Sequence, residues 1–371
     1  MNSLVSKARW LGALVAAGAL LLAGAGPAAA GGGHHGPVRG VPRTVALDSS
    51  PAAVAVSPDG RRAYVAVKDS IHGLKLKAVD TRSGAITAVV TLTTGFGGDA
   101  GPMAVSPDGS RVYVLLGPNR HFPASVLGVV DTATGTLVSS TEVPDQPRPS
   151  GTYPGGLSAL AVSPDGSQVY VTQDGPASWH RPPRPGARVL TFSAKQQAFT
   201  EALAIPGRYP ASIVVRPDGD DAYVATEAGL VHLALDDEPP AVVGTVAATA
   251  GTIVGLALDP DDTHVHGVGD DGKGYTVDLD TDTVDATFDI APGQRLQNPA
   301  VSRDGSRLYA VGQDNSSPDG KASVLSLDLA THHLVPTEGV PGLQYVTGLA
   351  VGPDGHTFYV TVNDTLRIIG F

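Results

Sequence analysis

A short apolar run, a Pro-Asp-Gly-type turn and a second run built on an aromatic ring recur seven times along this chain. The clearest copies read VAVSPDGRRAYVAV (54–67), MAVSPDGSRVYVLL (103–116), LAVSPDGSQVYVTQ (160–173) and LAVGPDGHTFYVTV (349–362). The others are IVVRPDGDDAYVAT (213–226), LALDPDDTHVHGVG (256–269) and PAVSRDGSRLYAVG (299–312). Their turn aspartates, Asp59, Asp108, Asp165, Asp218, Asp261, Asp304 and Asp354, are separated by 49, 57, 53, 43, 43 and 50 residues. Self-similarity at such a period defines an array of equal units and overrides local propensity.

Each unit has the two-residue period of a strand. Pro pre-sets φ at the corner, Asp can bond nearby backbone, and Gly accepts the left-handed conformation of a short hairpin loop. The first run carries Ala55, Ala104, Ala161, Val214, Ala257, Ala300 or Ala350 between larger apolar neighbours. Small residues on one face suit an innermost strand that is crowded on that side. Five residues after each turn aspartate come Tyr64, Tyr113, Tyr170, Tyr223, His266, Tyr309 and Tyr359. Tyrosines at a fixed strand offset read as packing rings whose hydroxyls find a local partner. A third strand ends in turns such as AVDTRSG (78–84) and VVDTATG (129–135), and a fourth follows, as in AITAVVTL (85–92) and TLVSSTEV (136–143).

Four antiparallel strands per unit of 40 to 50 residues predict an all-β, seven-bladed β-propeller of four-stranded blades. The last unit stops after its third strand, and TVAL (44–47) supplies an N-terminal strand that can complete it and close the ring. The VAVSPDG, YV and VDT pattern resembles the YVTN-type, lactonase-like seven-bladed β-propellers of exported bacterial proteins, over nearly all of residues 44–371. The resemblance implies the fold. It spans enzymes and surface proteins alike, and no catalytic motif of the enzyme branch carries over residue by residue.

Residues 1–30 have a signal peptide's composition: basic Lys7 and Arg9, the run LGALVAAGALLLAGAG, and Ala28-Ala29-Ala30 as a cleavage site. That run is short for a membrane span. Residues 31–43 read as a flexible Gly/Pro-rich arm. The expectation is an exported protein, extracellular or associated with the cell wall, monomeric and without a membrane span. It contains no cysteine and so no disulfide. The leader carries two of the 25 basic residues and none of the 36 acidic ones, leaving a mature net charge of −13. So acidic a chain is a poor partner for nucleic acid.

Turns within the inner hairpin and the third-to-fourth hairpin fall on one face of a propeller. The loops between second and third strands, and the blade-to-blade connections, fall on the other. Length variation marks the second face as the binding face. Its longest loops, 145–156 and 174–187 of blade 3, with 117–125 and 206–210 beside them, concentrate Arg120, His121, Arg148, Tyr153, Trp179, His180, Arg181, Arg208 and Tyr209. Arginine forks and aromatic planes in an acidic protein predict a patch for an anionic or carbohydrate-like small molecule, a cell-wall component or a protein. A rigid proline-rich cover is the alternative.

His72, His121 and His180 fall in equivalent loops of successive blades, and they are the candidate catalytic residues of a lactonase- or lyase-type enzyme. A binding or scaffold role is favoured over that reading, and a purely structural surface protein is a third. No cofactor motif is present: GFGGDAG (95–101) precedes a strand instead of opening a helix. No metal site is expected. His266 replaces a packing Tyr beside His264, and Asp278, Asp280 and Asp282 lack the Gly and Glu that a calcium loop requires.

Overall fold

The computed structural model describes residues 42–69, 73–93, 98–117, 124–178, 186–247, 252–314, 321–335, 343–344 and 346–370. Among them there are strands and turns and no α-helix, and no helix long and apolar enough to cross a membrane.

Seven antiparallel sheets stand in a ring, and the first six hold their four main strands in chain order from the channel outward. Blade 1 is Ser50–Val56, Arg62–Asp69, Gly73–Asp80 and Ile86–Thr91. Blades 2 to 6 follow over 100–142, 157–204, 212–247, 253–289 and 295–335. Blade 7 is built by Val346–Val351, Thr357–Val362 and Thr365–Gly370, with Arg43–Ala46 as its outer strand. The N-terminal strand therefore closes the ring as expected, in the register Arg43↔Ile368 to Ala46↔Thr365. Leu47, fully buried, follows it, and the buried Lys77 of blade 1 donates from its ammonium to the Leu47 carbonyl. Blade 6 departs from the pattern. Its short outer strand His333–Val335 covers one end of the third strand, and Leu343–Gln344 pairs with the other.

The core is distributed. Among the described residues seven apolar clusters occur, one at each junction between neighbouring blades. Alternation explains the arrangement: Val54 and Val56 face blade 7, whereas Ala53 and Ala55 face blade 2. The register supplies a further reason for alanine. Ala55 pairs with Tyr64, Ala104 with Tyr113, Ala161 with Tyr170, Ala300 with Tyr309 and Ala350 with Tyr359. A methyl opposite each ring leaves it room to lie against the next blade. All six tyrosine rings are buried. Burial pushes the phenol of Tyr170 and that of Tyr359 up to about 12.

The Ser-Pro-Asp-Gly corner also joins blades. The turn serine donates to the turn aspartate at 2.5–2.6 Å in blades 1, 2, 3 and 6. The turn glycine takes a positive φ, 69° at Gly60, and its open face receives a proline of the preceding blade. Pro353 meets Gly60, Pro58 meets Gly109, Pro107 meets Gly166, Pro164 meets Gly219 and Pro260 meets Gly305. In blade 5 Asp262 stands in the glycine position with φ 59°, and Arg216 of blade 4 reaches it.

Candidate functional site

Three stretches meet on the long-loop face of blades 3 and 4. The connection into blade 3 pairs with the following loop through Tyr153 and Ala177, whose amides and carbonyls exchange bonds of 2.9 and 3.0 Å. That loop is tied in turn to the connection into blade 4 by Gly175 N–H donating to the Arg208 carbonyl at 2.8 Å.

Two buried polar side chains fasten the junction. The Gln146 amide donates to the carbonyls of Asp174 and Gly186 at 2.9 and 3.0 Å and accepts from Gly155 N–H at 2.9 Å. Arg188 donates to Gln173 Oε1 at 2.7 Å and to the carbonyls of Pro144 and Asp145. Gly155 is required here, since a Cβ on it would stand 2.1 Å from the Asp174 carbonyl oxygen.

Asp174 directly follows the second strand Gln168–Gln173 and accepts from the Ser158 hydroxyl at 2.6 Å. Burial pushes its carboxyl up to about 6, against the Ser158 bond and with help from the Glu227 charge. Glu227 occupies the equivalent place in blade 4 and accepts from the amides of Arg208 and Tyr209 at 3.0 and 3.1 Å. The Tyr209 phenol is raised by burial first, then by Asp174 and Glu227, which places all three in one electrostatic neighbourhood.

Of the residues expected from sequence, Arg148, Tyr153, Arg208 and Tyr209 fall within this assembly. Both arginines are engaged with acids: Arg148 with Asp145, the Thr152 carbonyl and the Gln146 carbonyl, and Arg208 with Glu227 at 3.8 Å. The tyrosines are exposed as well, 39% each. His72, Arg120, His121, Trp179, His180 and Arg181 lie outside the described residues. Sequence reading overlooked Gln146, Arg188 and Glu227. Gln146 and Arg188 carry no repeat signal, and Glu227 sits in a two-residue turn too short to attract notice.

The opposite mouth of the channel holds a cavity of about 240 Å³ lined by Val56, Met103, Val105, Val301, Val351 and the turn prolines. The side chains lining it are apolar apart from Asn298 and Asp259.

His266 has the structural place expected of it. Almost fully buried, its ring is held by Asp259 Oδ1 and Thr276 Oγ1 at 3.0 and 3.1 Å. His332, at the turn before the outer strand of blade 6, stacks on Phe288 at 4.3 Å.

No protein-family model and no curated protein sequence matches the chain. Among solved structures it is similar to Kuenenia stuttgartiensis hydrazine synthase, with a TM-score of 0.66 at 16% identity, covering 88% of this chain and 97% of that one. At that identity the likeness concerns the fold alone, and the fold is a seven-bladed β-propeller.

Proposed function

We propose that the protein is an exported binding module of the YVTN-like kind, which holds a polyhydroxylated, carbohydrate-like ligand on the rim of blades 3 and 4. The observation that carries this reading is that two exposed tyrosines, Tyr153 and Tyr209, stand on one cross-tied platform, Tyr209 within electrostatic reach of the Asp174 and Glu227 carboxylates. Aromatic planes stack on the apolar face of a sugar ring, and carboxylates accept its hydroxyls. An anionic ligand is less well served, because Arg148 and Arg208 are already paired with Asp145 and Glu227. Calorimetric titration of the mature protein with wall-derived and neutral oligosaccharides tests the reading. Tyr153→Ala and Tyr209→Ala should each weaken binding at least tenfold, and unchanged affinity in both variants removes it.

Asp174 supports a second reading. A carboxyl titrating near 6 beside a second acid suits a general acid of a lactonase or lyase. Turnover of a lactone panel that disappears in Asp174→Asn while ligand binding persists would favour the enzyme.

A further inference from the structure

Blade 5 departs from its siblings at four positions, and the departures converge on one place. The residue three after the turn aspartate is Arg62, Arg111 and Arg307 in blades 1, 2 and 6, Gln168, Asp221 and Thr357 in blades 3, 4 and 7, and His264 in blade 5. Arg111 shows the sibling arrangement: its guanidinium pairs with Asp131, at the end of the third strand. The equivalent acid in blade 5 is Asp278, the register partner of His264.

The outer strand contributes a second departure. In blades 1 to 5 a β-bulge leaves one outer-strand residue unpaired: Thr87, Val138, Thr200, Val243 and Asp285. Bulges re-aim a side chain. The sibling threonines turn back onto their own blade, Thr87 to the Ala78 carbonyl and Thr200 to that of Thr191. Asp285 instead brings Oδ2 to 3.3 Å from His264 Nε2.

The third and fourth departures, Asp259 for the turn serine and His266 for the packing tyrosine, lie behind this pair. Asp259 Oδ2 is 3.3 Å and Thr263 Oγ1 2.7 Å from His264 Nδ1. The other carboxylate oxygen, Oδ1, lies 3.0 Å from His266 Nε2. An imidazole whose Nδ1 faces a carboxylate and whose Nε2 faces further acids is the arrangement of metal-bound histidine, with Asp259 as the orienting partner. Asp278 Oδ1 is committed to the turn, accepting from Asp280 N–H, Thr281 N–H and the Thr281 hydroxyl. Its second oxygen is not used by those bonds.

We propose that His264, Asp278 and Asp285 bind a first-row divalent cation, zinc foremost, at the turn-side edge of blade 5. One donor atom from each residue lies within 4.8 Å of the other two. Two ligands of a tetrahedral ion with bonds of about 2.0–2.1 Å stand about 3.3 Å apart, the separation of His264 Nε2 from Asp285 Oδ2. Where blade 2 sets an arginine against one acid, blade 5 sets an imidazole among three, so a cation supplies the missing positive charge. The imidazole nitrogen selects zinc, cobalt or nickel over calcium, which prefers all-oxygen shells. Three protein ligands leave the remaining coordination to water or to an oxygen group of a partner.

Equilibrium dialysis of the chelator-treated full chain against Zn²⁺, with cobalt(II) absorption as a spectroscopic readout, tests the site. Asp285→Thr adopts the residue found at the bulge of blades 1 and 3 and should preserve the fold. Wild type should bind one more equivalent of Zn²⁺ than Asp285→Thr or His264→Gln, and Zn²⁺ should raise the melting temperature of wild type only. His34→Ala/His35→Ala, which removes the histidine pair of the N-terminal arm, should retain that equivalent. Equal stoichiometry and affinity in wild type and Asp285→Thr would overturn the proposal, as would loss of the equivalent in the arm variant alone.

Discussion

Arg216 of blade 4 forks onto Asp262 in the turn of blade 5, its Nε and Nη2 lying 3.0 to 3.3 Å from the two carboxylate oxygens. At five other blade junctions a proline fills this place against a turn glycine. At this seam an ion pair joins the two turns, and an aspartate stands where the other turns have glycine. Arg216 also lies 3.7 Å from Asp221, which holds His232 at 3.0 Å. His232 in turn reaches Asp282, the partner of the Tyr223 hydroxyl.

Removing the guanidinium leaves a half-buried carboxylate unpaired, so Arg216→Ala should cost about 2 kcal/mol. Asp262→Gly should cost less, because glycine also relieves the positive φ. The double variant should fall short of additivity by about 1 kcal/mol in urea unfolding.

Ring closure rests on the N-terminal strand, so Leu47→Ala should lower stability by about 3 kcal/mol. Deleting residues 42–47 exposes the edge of Thr365–Gly370 and should broaden the thermal transition and promote association, visible by scanning calorimetry and light scattering.

Gly60→Ala and Gly109→Ala meet similar backbone strain, with φ of 69° and 72°. Their surroundings differ: a Cβ at Gly60 would stand 3.1 Å from Pro353, whereas one at Gly109 would stand 3.6 Å from Pro58. Both should destabilise by about 1–2 kcal/mol, with Gly60→Ala the worse. Their difference in melting temperature reads the inter-blade contact alone.

Asp174 makes stability depend on pH with a defined sign. Its folded value, about 6, lies above the ordinary 3.8, so between these values the folded state holds a proton that the unfolded chain has lost. Stability from this group therefore falls as pH rises from about 4 to 6 and stays low above, by up to about 3 kcal/mol. Asp304 acts oppositely. Bonds from Ser302 and Ser306 hold it at about 2, so its contribution is present above 3.8 and is lost as pH falls toward 2. It is well exposed, so solvent screening keeps that effect below about 1 kcal/mol. Asp174→Asn should gain on wild type as pH rises from 4 to 7 in a melting series, whereas Asp304→Asn should lose ground as pH rises from 2 to 4.

Much of the architecture was legible because repetition exposes it. The strand period, the turn chemistry and the N-terminal strand all stood in the repeats, and the observed sheets agree with them. The candidate site was half legible. Tyr153, Tyr209, Arg148 and Arg208 drew notice as residue types concentrated in long loops. That Arg208 would be matched by Glu227 was hidden, because the two are 19 positions apart and meet only once the strands of blade 4 have paired. The blade 5 cluster was passed over for a similar reason. His264, Asp278 and Asp285 lie on three different strands, and the bulge that turns Asp285 toward the histidine exists only once the outer strand has paired.

The sequence by itself determined the unit and the number of units, since a two-residue period and a Pro-Asp-Gly corner are local matters of sterics and burial. Tertiary structure alone decided what lies across each seam: Pro353 over Gly60, Arg216 on Asp262, a raised carboxyl at Asp174. Those contacts join residues dozens to hundreds of positions apart. Their energies come from desolvation and close packing, which have no value until the ring is closed.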